Sequence, residues 1–248
     1  MPCYKLVIAY DGTRYGGWQK QPNCLSIQQE LQEALCKIIQ QKEVHVTGAG
    51  RTDAGVHAHG QVAHFKMDNL HDPNLLYLGL NGLLPSDIRI RSVQIAEEGF
   101  HARYSAISKE YHYNLYLERV MDPFRRLYCW HCLRAVDISL LKEAATLFVG
   151  THNFSAFANN AAYGCAANDP VRTIYSLDIV PMEGGFCLQF KGDGFLYKMV
   201  RNIVGTLVDV ACSKIKLAEI KTIFASQKRS KGGQTAPPQG LFLRQVNY

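Results

Sequence analysis

Residues 199–211, MVRNIVGTLVDVA, carry the strongest helical pattern in the chain. One face of this predicted helix is continuously apolar and consists of Met199, Val200, Ile203, Val204, Leu207, Val208 and Ala211. A segment rich in Lys, Gly, Pro and Ser follows at 226–240 and predicts a flexible basic loop. Strands are predicted before the helix at 173–180 and 186–190, and after the loop at 241–246. A helix set among strands in this way predicts an α+β arrangement.

The same order of elements occurs earlier in the chain. In the first half, a strand at 4–10 precedes a helix that Ser26 opens with an S-x-x-Q capping box to Gln29. Further elements are predicted at 44–47, 61–67, 75–84 and 88–95. The second half begins with a strand at 109–117 and a helix that Asp137 caps. Two similar halves predict two pseudo-symmetric sheets with a cleft between them, and we place the domains at 1–103 and 104–248.

Composition excludes several classes of protein. The chain has 248 residues, of which 47% are hydrophobic and 19% are charged, and this excludes a disordered charged tail protein. There is no apolar run long enough for a signal peptide or for a membrane span of ~18 residues, so we predict a soluble protein. The formal charge of +6 permits a polyanionic partner.

Eight cysteines are present, at 3, 24, 36, 129, 132, 165, 187 and 212. Without an export signal they are predicted to stay reduced, which indicates a cytoplasmic protein. Only Cys129 and Cys132, in CWHC, have motif spacing. A zinc site requires a second such pair or two spaced histidines, and neither follows, so two thiols in a strand are favoured over a metal or redox role.

The most unusual stretch is GAGRTDAGVHAHGQ at 48–61. Its glycines and alanines bring the backbone close to whatever binds there. If residues 51–53 are extended, Arg51 and Asp53 point to the same side, and the guanidinium keeps the carboxylate ionised. Asp53 is then a candidate nucleophile or base. T-D-A-G is also typical of a turn, and spacing alone favours that alternative.

Two histidines of this stretch, His57 and His59, are two residues apart. This is not helical metal spacing, and no third ligand is near in sequence, so both are interpreted as polar loop or strand residues. No Ser-His-Asp order, Walker loop or dinucleotide fingerprint is present.

Residues 48–58 resemble the catalytic signature of the TruA-type tRNA pseudouridine synthases, G-x-G-R-T-D-x-G-V-H-A. Six further blocks are similar to the family's blocks in the family's order: YDGTRYGGWQKQ at 10–21, FHARYSA at 100–106, KEYHY at 109–113, GTHNFSAF at 150–157, FLYKMVRNIVG at 195–205 and APPQGLFL at 236–243. The sequence departs from the pattern at Asn153, Asp193 and Phe242, where Asp, Asn and Tyr are common. None of these departures touches Asp53.

The resemblance implies the fold and the activity. The fold class would be α+β, with two pseudo-symmetric α/β-sandwich domains of the RRM or ferredoxin-like kind. They would share a central mixed, mostly antiparallel sheet, with the active site in a basic cleft between them. The activity would be that of an isomerase that converts uridine to pseudouridine at positions 38–40 of the tRNA anticodon stem-loop. A homodimer would hold the tRNA, without a cofactor, a metal or a membrane.

The resemblance also implies roles for single residues. Asp53 would be the nucleophile, with attack at the anomeric carbon or at carbon 6 of the base left open. Tyr111 would hold the flipped uracil and help to remove the carbon-5 proton, and Arg201 would pair with Asp53. Arg51 and Arg103 would bind the substrate arm. Candidate phosphate contacts are Lys20, Lys228, Lys231, Arg14, Arg125, Arg126 and Arg229.

Other interpretations of these residues stay open at this stage. From the residues alone, Tyr111 is interpreted as a half-buried strand tyrosine, and Arg201 as a surface arginine on an amphipathic helix. The alternative function is a non-catalytic RNA-binding protein of the same fold. The intact signature around Asp53 favours the enzyme.

Overall fold

The computed structural model describes residues 1–159 and 169–248, and these form two compact units. Unit 1 comprises Met1–Ile107 and Phe242–Tyr248, and unit 2 comprises Ser108–Leu241. The predicted domains, 1–103 and 104–248, differ from these units at two places: the first segment of unit 1 runs on to Ile107, and unit 1 also includes Phe242–Tyr248. The second difference is the larger one, and it arises because the last strand returns to pair with a strand of unit 1.

Unit 1 contains a sheet with two helices. Its elements are β1 (Cys3–Tyr10), α1 (Ile27–Ile39), β2 (Thr47–Gly48), β3 (His57–Lys66), α2 (Pro73–Leu83), β4 (Ile88–Ile95) and the last strand of the chain, β10 (Leu241–Asn247). The strand order is β4-β1-β3-β10, and β2 pairs with β3. Strand β1 is antiparallel to both neighbours, whereas β10 is parallel to β3, with Phe242 opposite His57.

Helix α1 begins where its sequence predicted. The Ser26 hydroxyl accepts a hydrogen bond from the Gln29 backbone N–H at 3.3 Å, which satisfies one of the free donors at the helix start. The Gln29 side chain donates to Glu33 at 2.9 Å, away from the helix start. Ile27, Leu31 and the apolar residues after them on the same face are buried.

Unit 2 is built in a similar way. Its elements are β5 (Ser108–Tyr116), β6 (Trp130–His131), α3 (Ile138–Thr146), β7 (Gly150–Asn153), β8 (Val171–Met182), β9 (Gly185–Gly192), α4 (Met199–Ala211) and α5 (Glu219–Ser226). Strands β5, β9, β8 and β7 are neighbours in that order and are antiparallel, and β6 is parallel to β5. The predicted α+β class with mostly antiparallel strand pairing is confirmed.

Helix α4 is the core helix of unit 2. Every residue of α4 except Arg201 is buried, including the polar residues Asn202, Thr206 and Asp209. The helix is therefore not amphipathic in the usual sense, because its polar face is covered as well as its apolar face. A Cβ on Gly205 would lie 1.7 Å from the Gln234 carbonyl oxygen, so the covering chain touches the helix backbone itself.

The covering chain is the segment that the sequence predicted to be a flexible loop. The Thr206 hydroxyl accepts the Gly233 N–H at 3.0 Å, and the Asp209 carboxylate accepts the Gln234 N–H at 3.1 Å. Arg229 donates to the Asn202 side chain at 3.0 Å. The structure thus differs from the prediction: the buried polar face of α4 binds residues 229–234 at three points.

Among the described residues, none of the helices has the length and apolarity that crossing a bilayer requires. Cys165 lies outside the described residues, and the seven other cysteines are free thiols.

We expect His64 to make folding sensitive to mild acid. His64 is buried on β3, and its Nδ1 accepts the Ala102 N–H at 3.1 Å. Burial lowers the pKa of His64, and the nearby His101 and Lys66 lower it further. An unfolded histidine has a pKa near 6.5, so between that value and the lower folded value only the unfolded chain takes up the proton. The free energy of unfolding should therefore fall as the pH drops below about 6.5.

The measurement is urea unfolding of His64→Asn and wild type between pH 7.5 and pH 5. The variant should lose part of the pH dependence. His45→Asn, which changes an exposed histidine whose charge is the smallest contribution to the lowered pKa of His64, should keep most of it. An identical pH dependence in His64→Asn and wild type would contradict the assignment.

Candidate active site

The signature segment, residues 48–56, runs between β2 and β3 and is held from the β3 side. The Ala49 N–H donates to the Val62 carbonyl at 2.7 Å, and the Gln61 side-chain amide donates to the Gly50 carbonyl at 2.9 Å. Exposure alternates beyond this point: Arg51 is exposed, Thr52 is buried and Asp53 is half-buried.

A second set of contacts comes from the loop after β1, residues 11–20. The Trp18 N–H donates to the Thr52 carbonyl at 3.1 Å, and the Gly55 N–H donates to the Tyr15 carbonyl at 3.3 Å. The Tyr10 hydroxyl lies 2.8 Å from the Thr52 hydroxyl. Complete burial raises the pKa of Tyr10 to about 12, so this phenol keeps its proton at neutral pH. The residue before Asp53 is thereby held through both its backbone and its side chain.

Two glycines permit this close approach. A Cβ on Gly12 would lie 2.0 Å from the Val56 carbonyl oxygen. Gly17 has φ +101, which L side chains rarely adopt, and its Cβ would lie 2.5 Å from the Thr52 oxygen and 3.0 Å from the Asp53 carbonyl carbon. Both glycines lie in the family block YDGTRYGGWQKQ, and that resemblance alone does not predict a role for them. The backbone of Asp53 needs them.

Asp53 itself opens a turn. The Val56 N–H donates to the Asp53 carbonyl at 3.1 Å, and Gly55 has φ +76. The turn alternative is therefore correct for the backbone of T-D-A-G. It is formed by the carbonyl of Asp53, so a turn and a reactive carboxylate are compatible at this residue.

The start of β3 carries an aromatic group next to this turn. Phe242 of β10 stacks on His57, with ring centroids 4.7 Å apart, and on His59, at 5.3 Å. His57 Nδ1 accepts the Gly12 N–H at 3.0 Å and lies 3.1 Å from an Asp11 carboxylate oxygen. Thus His57 ties the loop after β1 to the end of the signature segment, consistent with its interpretation as a polar strand residue.

In unit 2, Tyr111 lies on β5 and is largely buried. Its ring packs edge-to-face on Phe195, with centroids 5.1 Å apart, and its strand partner on β9 is Phe190. Tyr111 is therefore a strand residue, as the residues alone predicted. An aromatic neighbour at right angles fixes the plane of the Tyr111 ring.

Arg201 lies in the first turn of α4 and is half-buried. Its Nε donates to the Ala236 carbonyl at 2.8 Å, and its own carbonyl accepts the Ala236 N–H at 3.0 Å. The interpretation of Arg201 as a surface arginine on an amphipathic helix is wrong, because all its helix neighbours are buried. The bond from Nε to the Ala236 carbonyl restricts where the guanidinium can point.

The remaining basic residues fall into two groups. Arg14 pairs with Asp87, Arg125 with Glu183, and Arg229 with Asn202 and Thr235. The other candidates are exposed, and they are Arg51, Arg103, Arg126, Lys20, Lys228 and Lys231. Arg14 is exposed as well as paired. The exposed cations suit phosphate contacts better, since a paired arginine must first release its carboxylate or amide partner.

The CWHC pair is buried. Cys129 and Cys132 flank β6, and burial raises the pKa of Cys129, which keeps that thiol protonated. Across residues 1–159 and 169–248, no three His, Cys, Asp or Glu side chains are grouped closely enough to hold a metal ion. Thiols packed beside a strand are the better description.

Comparison with known proteins agrees with the signature. A family model described as tRNA pseudouridine synthase matches residues 6–105 and 144–248. The chain is 60% identical to tRNA pseudouridine synthase A 1 of Protochlamydia amoebophila (strain UWE25), over 100% of this chain and 97% of that protein. It is 47% identical to tRNA pseudouridine synthase A of Chlamydia muridarum (strain MoPn / Nigg), over 98% of this chain and 91% of that protein.

A further relative is tRNA pseudouridine synthase A of Methylacidiphilum infernorum (isolate V4), 45% identical over 99% of this chain and 95% of that protein. Among solved structures, a chain of the "Crystal Structure of a Cbf5-Nop10-Gar1 Complex" has a TM-score of 0.37 and 11% identity, over 82% of this chain and 53% of that chain. The family model takes in residues of both units, and the relatives match over nearly their whole length. On this evidence the chain belongs to the tRNA pseudouridine synthase family, whose members are isomerases that act on tRNA.

Proposed function

We propose that this protein converts uridine to pseudouridine at positions 38–40 of the tRNA anticodon stem-loop, with Asp53 as the nucleophile. The observation that carries the proposal is the support of the signature turn. The backbone on both sides of Asp53 is fixed by the loop after β1 and by β3, while Asp53 itself is only half-buried. A reactive group held on a rigid support and open to solvent suits a large substrate.

The reaction rearranges one uridine without changing its composition. The bond from N1 to the anomeric carbon breaks, a bond from carbon 5 to the anomeric carbon forms, the carbon-5 proton leaves, and N1 takes up a proton. A carboxylate at the anomeric carbon stabilises the positive charge that develops there, as in glycoside cleavage, and a carboxylate at carbon 6 would add to the base. Asp53 fits either route, because each requires one ionised carboxylate.

Two residues of unit 2 complete the proposal. A paired or stacked uridine must leave its helix to meet a protein carboxylate, and an aromatic ring holds a flipped base. We assign that role to Tyr111, whose phenol also suits removal of the carbon-5 proton. We assign to Arg201 the pairing with the Asp53 carboxylate, since its bonds to Ala236 hold the arginine in place. Arg51 and Arg103 are assigned to the substrate arm.

The partners follow from the same proposal. The substrate is tRNA, bound through its anticodon arm by exposed basic side chains. The protein would act as a homodimer in the cytoplasm, and the residues assigned above need neither a cofactor nor a metal ion to carry out the isomerisation.

The test is to map pseudouridine at single-nucleotide resolution in a full-length tRNA transcript, before and after incubation with the protein. We expect new pseudouridine at one or more of positions 38–40 and at no other position. New pseudouridine outside the anticodon arm would overturn the substrate assignment but keep the reaction class. A protein that binds the transcript tightly but forms no pseudouridine would support the alternative of a non-catalytic RNA-binding protein.

A further inference from the structure

A column of five aromatic rings runs through unit 1 and ends at its surface. The successive ring centroids are 5.0, 6.1, 4.7 and 4.3 Å apart, and the rings are Tyr248, Phe100, His64, His101 and Tyr104. We call this set the aromatic column. Its last ring, Tyr104, is 69% exposed, whereas His64 in the middle is buried. Most of Tyr104 is therefore accessible to a ligand.

His101 stabilises the turn that carries Tyr104 by accepting backbone hydrogen bonds. His101 Nδ1 accepts the N–H groups of both Arg103, at 3.1 Å, and Tyr104, at 3.2 Å. The Ser105 N–H donates to the His101 carbonyl at 2.9 Å, and the Ser105 hydroxyl accepts the His101 N–H at 3.1 Å. Four hydrogen bonds within residues 101–105 therefore stabilise this turn.

The same turn is also bound by two other members of the aromatic column, His64 and Tyr248. The Ala102 N–H donates to His64 Nδ1 at 3.1 Å, and the Ala102 carbonyl accepts the Tyr248 hydroxyl at 2.7 Å. Tyr104 is thus an exposed ring on a fixed backbone. Stacking a ligand on it requires little further ordering, which is the cost that normally weakens contacts with exposed side chains.

The charges along the column are positive. The Arg103 guanidinium lies 5.9 Å from the Tyr104 ring centroid. Lys5 lies 4.1 Å from the Tyr248 centroid and 5.3 Å from the Phe100 centroid, and the charge of Lys66 acts on His64. A polyanion is attracted to such a surface, and an aromatic ring beside a cation is how proteins hold an unpaired base together with its phosphate.

We propose that Tyr104 is a stacking platform for an unpaired nucleobase of the tRNA substrate, with Arg103 on the adjacent phosphate. This inference rests on the proposed function for the identity of its ligand. The platform is a separate site from Asp53: seven residues of β3 separate His57, beside the signature turn, from His64, and at about 3.3 Å per residue this is roughly 23 Å. The stacked base is therefore a different nucleotide from the one that is isomerised.

The test measures the dissociation constant of a full-length unmodified tRNA transcript at several salt concentrations. Tyr104→Ala should weaken binding about 5- to 150-fold, the range found when a stacking aromatic is truncated, and Tyr104→Phe should stay within about twofold of wild type. Stacking releases no counterions, so Tyr104→Ala should keep the slope of affinity against salt. Arg103→Ala should lower that slope by roughly 0.7 to 0.9.

The matched control is Tyr175→Ala, which removes a 49% exposed tyrosine on β8 and should bind like wild type. Wild-type affinity in Tyr104→Ala, a Tyr104→Phe variant as weak as Tyr104→Ala, or a changed salt slope in Tyr104→Ala would each overturn the platform. Pseudouridine mapping on the same wild-type protein separates the two proposals. The wild-type protein could modify no uridine while Tyr104→Ala weakens tRNA binding and Tyr104→Phe does not. In that case the proposed function is wrong and the assignment of Tyr104 as a stacking platform stands.

Discussion

Replacing Asp53 by asparagine should abolish pseudouridine formation while tRNA binding stays near wild type. The amide keeps the size of the side chain but removes the charge and the nucleophile, and loss of a nucleophile lowers turnover by about 10⁴-fold or more. Affinity for a polyanion comes from the cations, so one carboxylate contributes little to it. Release of tritium from tRNA labelled at carbon 5 of uridine measures the turnover.

The turn at Asp53 should survive this change, because the Val56 N–H donates to the Asp53 backbone carbonyl, which asparagine keeps. Asp68→Asn is the matched control, since it changes an exposed carboxylate of the same unit just after β3. It should release tritium at the wild-type rate. Full activity in Asp53→Asn would remove Asp53 as the nucleophile and leave the family assignment in place.

Replacing Asp209 by alanine should destabilise the protein by about 3 kcal/mol, the low end of the range for removing one partner of a buried ion pair. The carboxylate of Asp209 is buried and accepts from Arg134 at 2.9 Å, and from the backbone N–H and the side chain of Gln234, both at 3.1 Å. Its removal leaves the Gln234 N–H without its acceptor. The low end applies because the Arg134 side chain is 38% exposed and water can replace its partner.

Urea unfolding followed by circular dichroism measures this loss. Asp137→Ala is a suitable comparison, because it removes a carboxylate that caps α3 at the surface, through a 3.0 Å bond to the Leu140 N–H, and should cost about 1 kcal/mol. If the two variants lose equal stability, the buried network around Asp209 is worth no more than one exposed cap.

Regular elements were predictable because their signals are local. The apolar face of residues 199–211, the Ser26 cap and the strand alternation at 4–10 all depend on neighbours within a few residues, and the helices and strands formed there. The apolar face of α4 did not predict that the polar face of the same helix is buried as well. The residues that cover Asn202, Thr206 and Asp209 lie 25 to 27 positions further along the chain. Periodicity carries no information about such a partner.

The candidate site shows the same division. Its residues could be chosen from the sequence because the signature around Asp53 and the blocks around Tyr111 and Arg201 match family patterns. The roles of Gly12, Gly17 and Tyr10 could not be predicted from the sequence. The pattern around a glycine is the same whether or not a distant backbone packs on it, and the partner of the Tyr10 hydroxyl is 42 positions away.

By itself, the sequence determined the α+β elements of this protein and its family signature. It also determined that one carboxylate, Asp53, lies among glycines and beside Arg51. Only the tertiary structure decided how that carboxylate is supported. The loop after β1 binds Thr52, and it packs so closely on the signature segment that a Cβ has no room at Gly12 or Gly17. It also decided that Tyr104 ends an aromatic column. The physical reason is that side-chain types are fixed along the chain, whereas hydrogen-bond partners and ring contacts form between residues that are far apart in sequence.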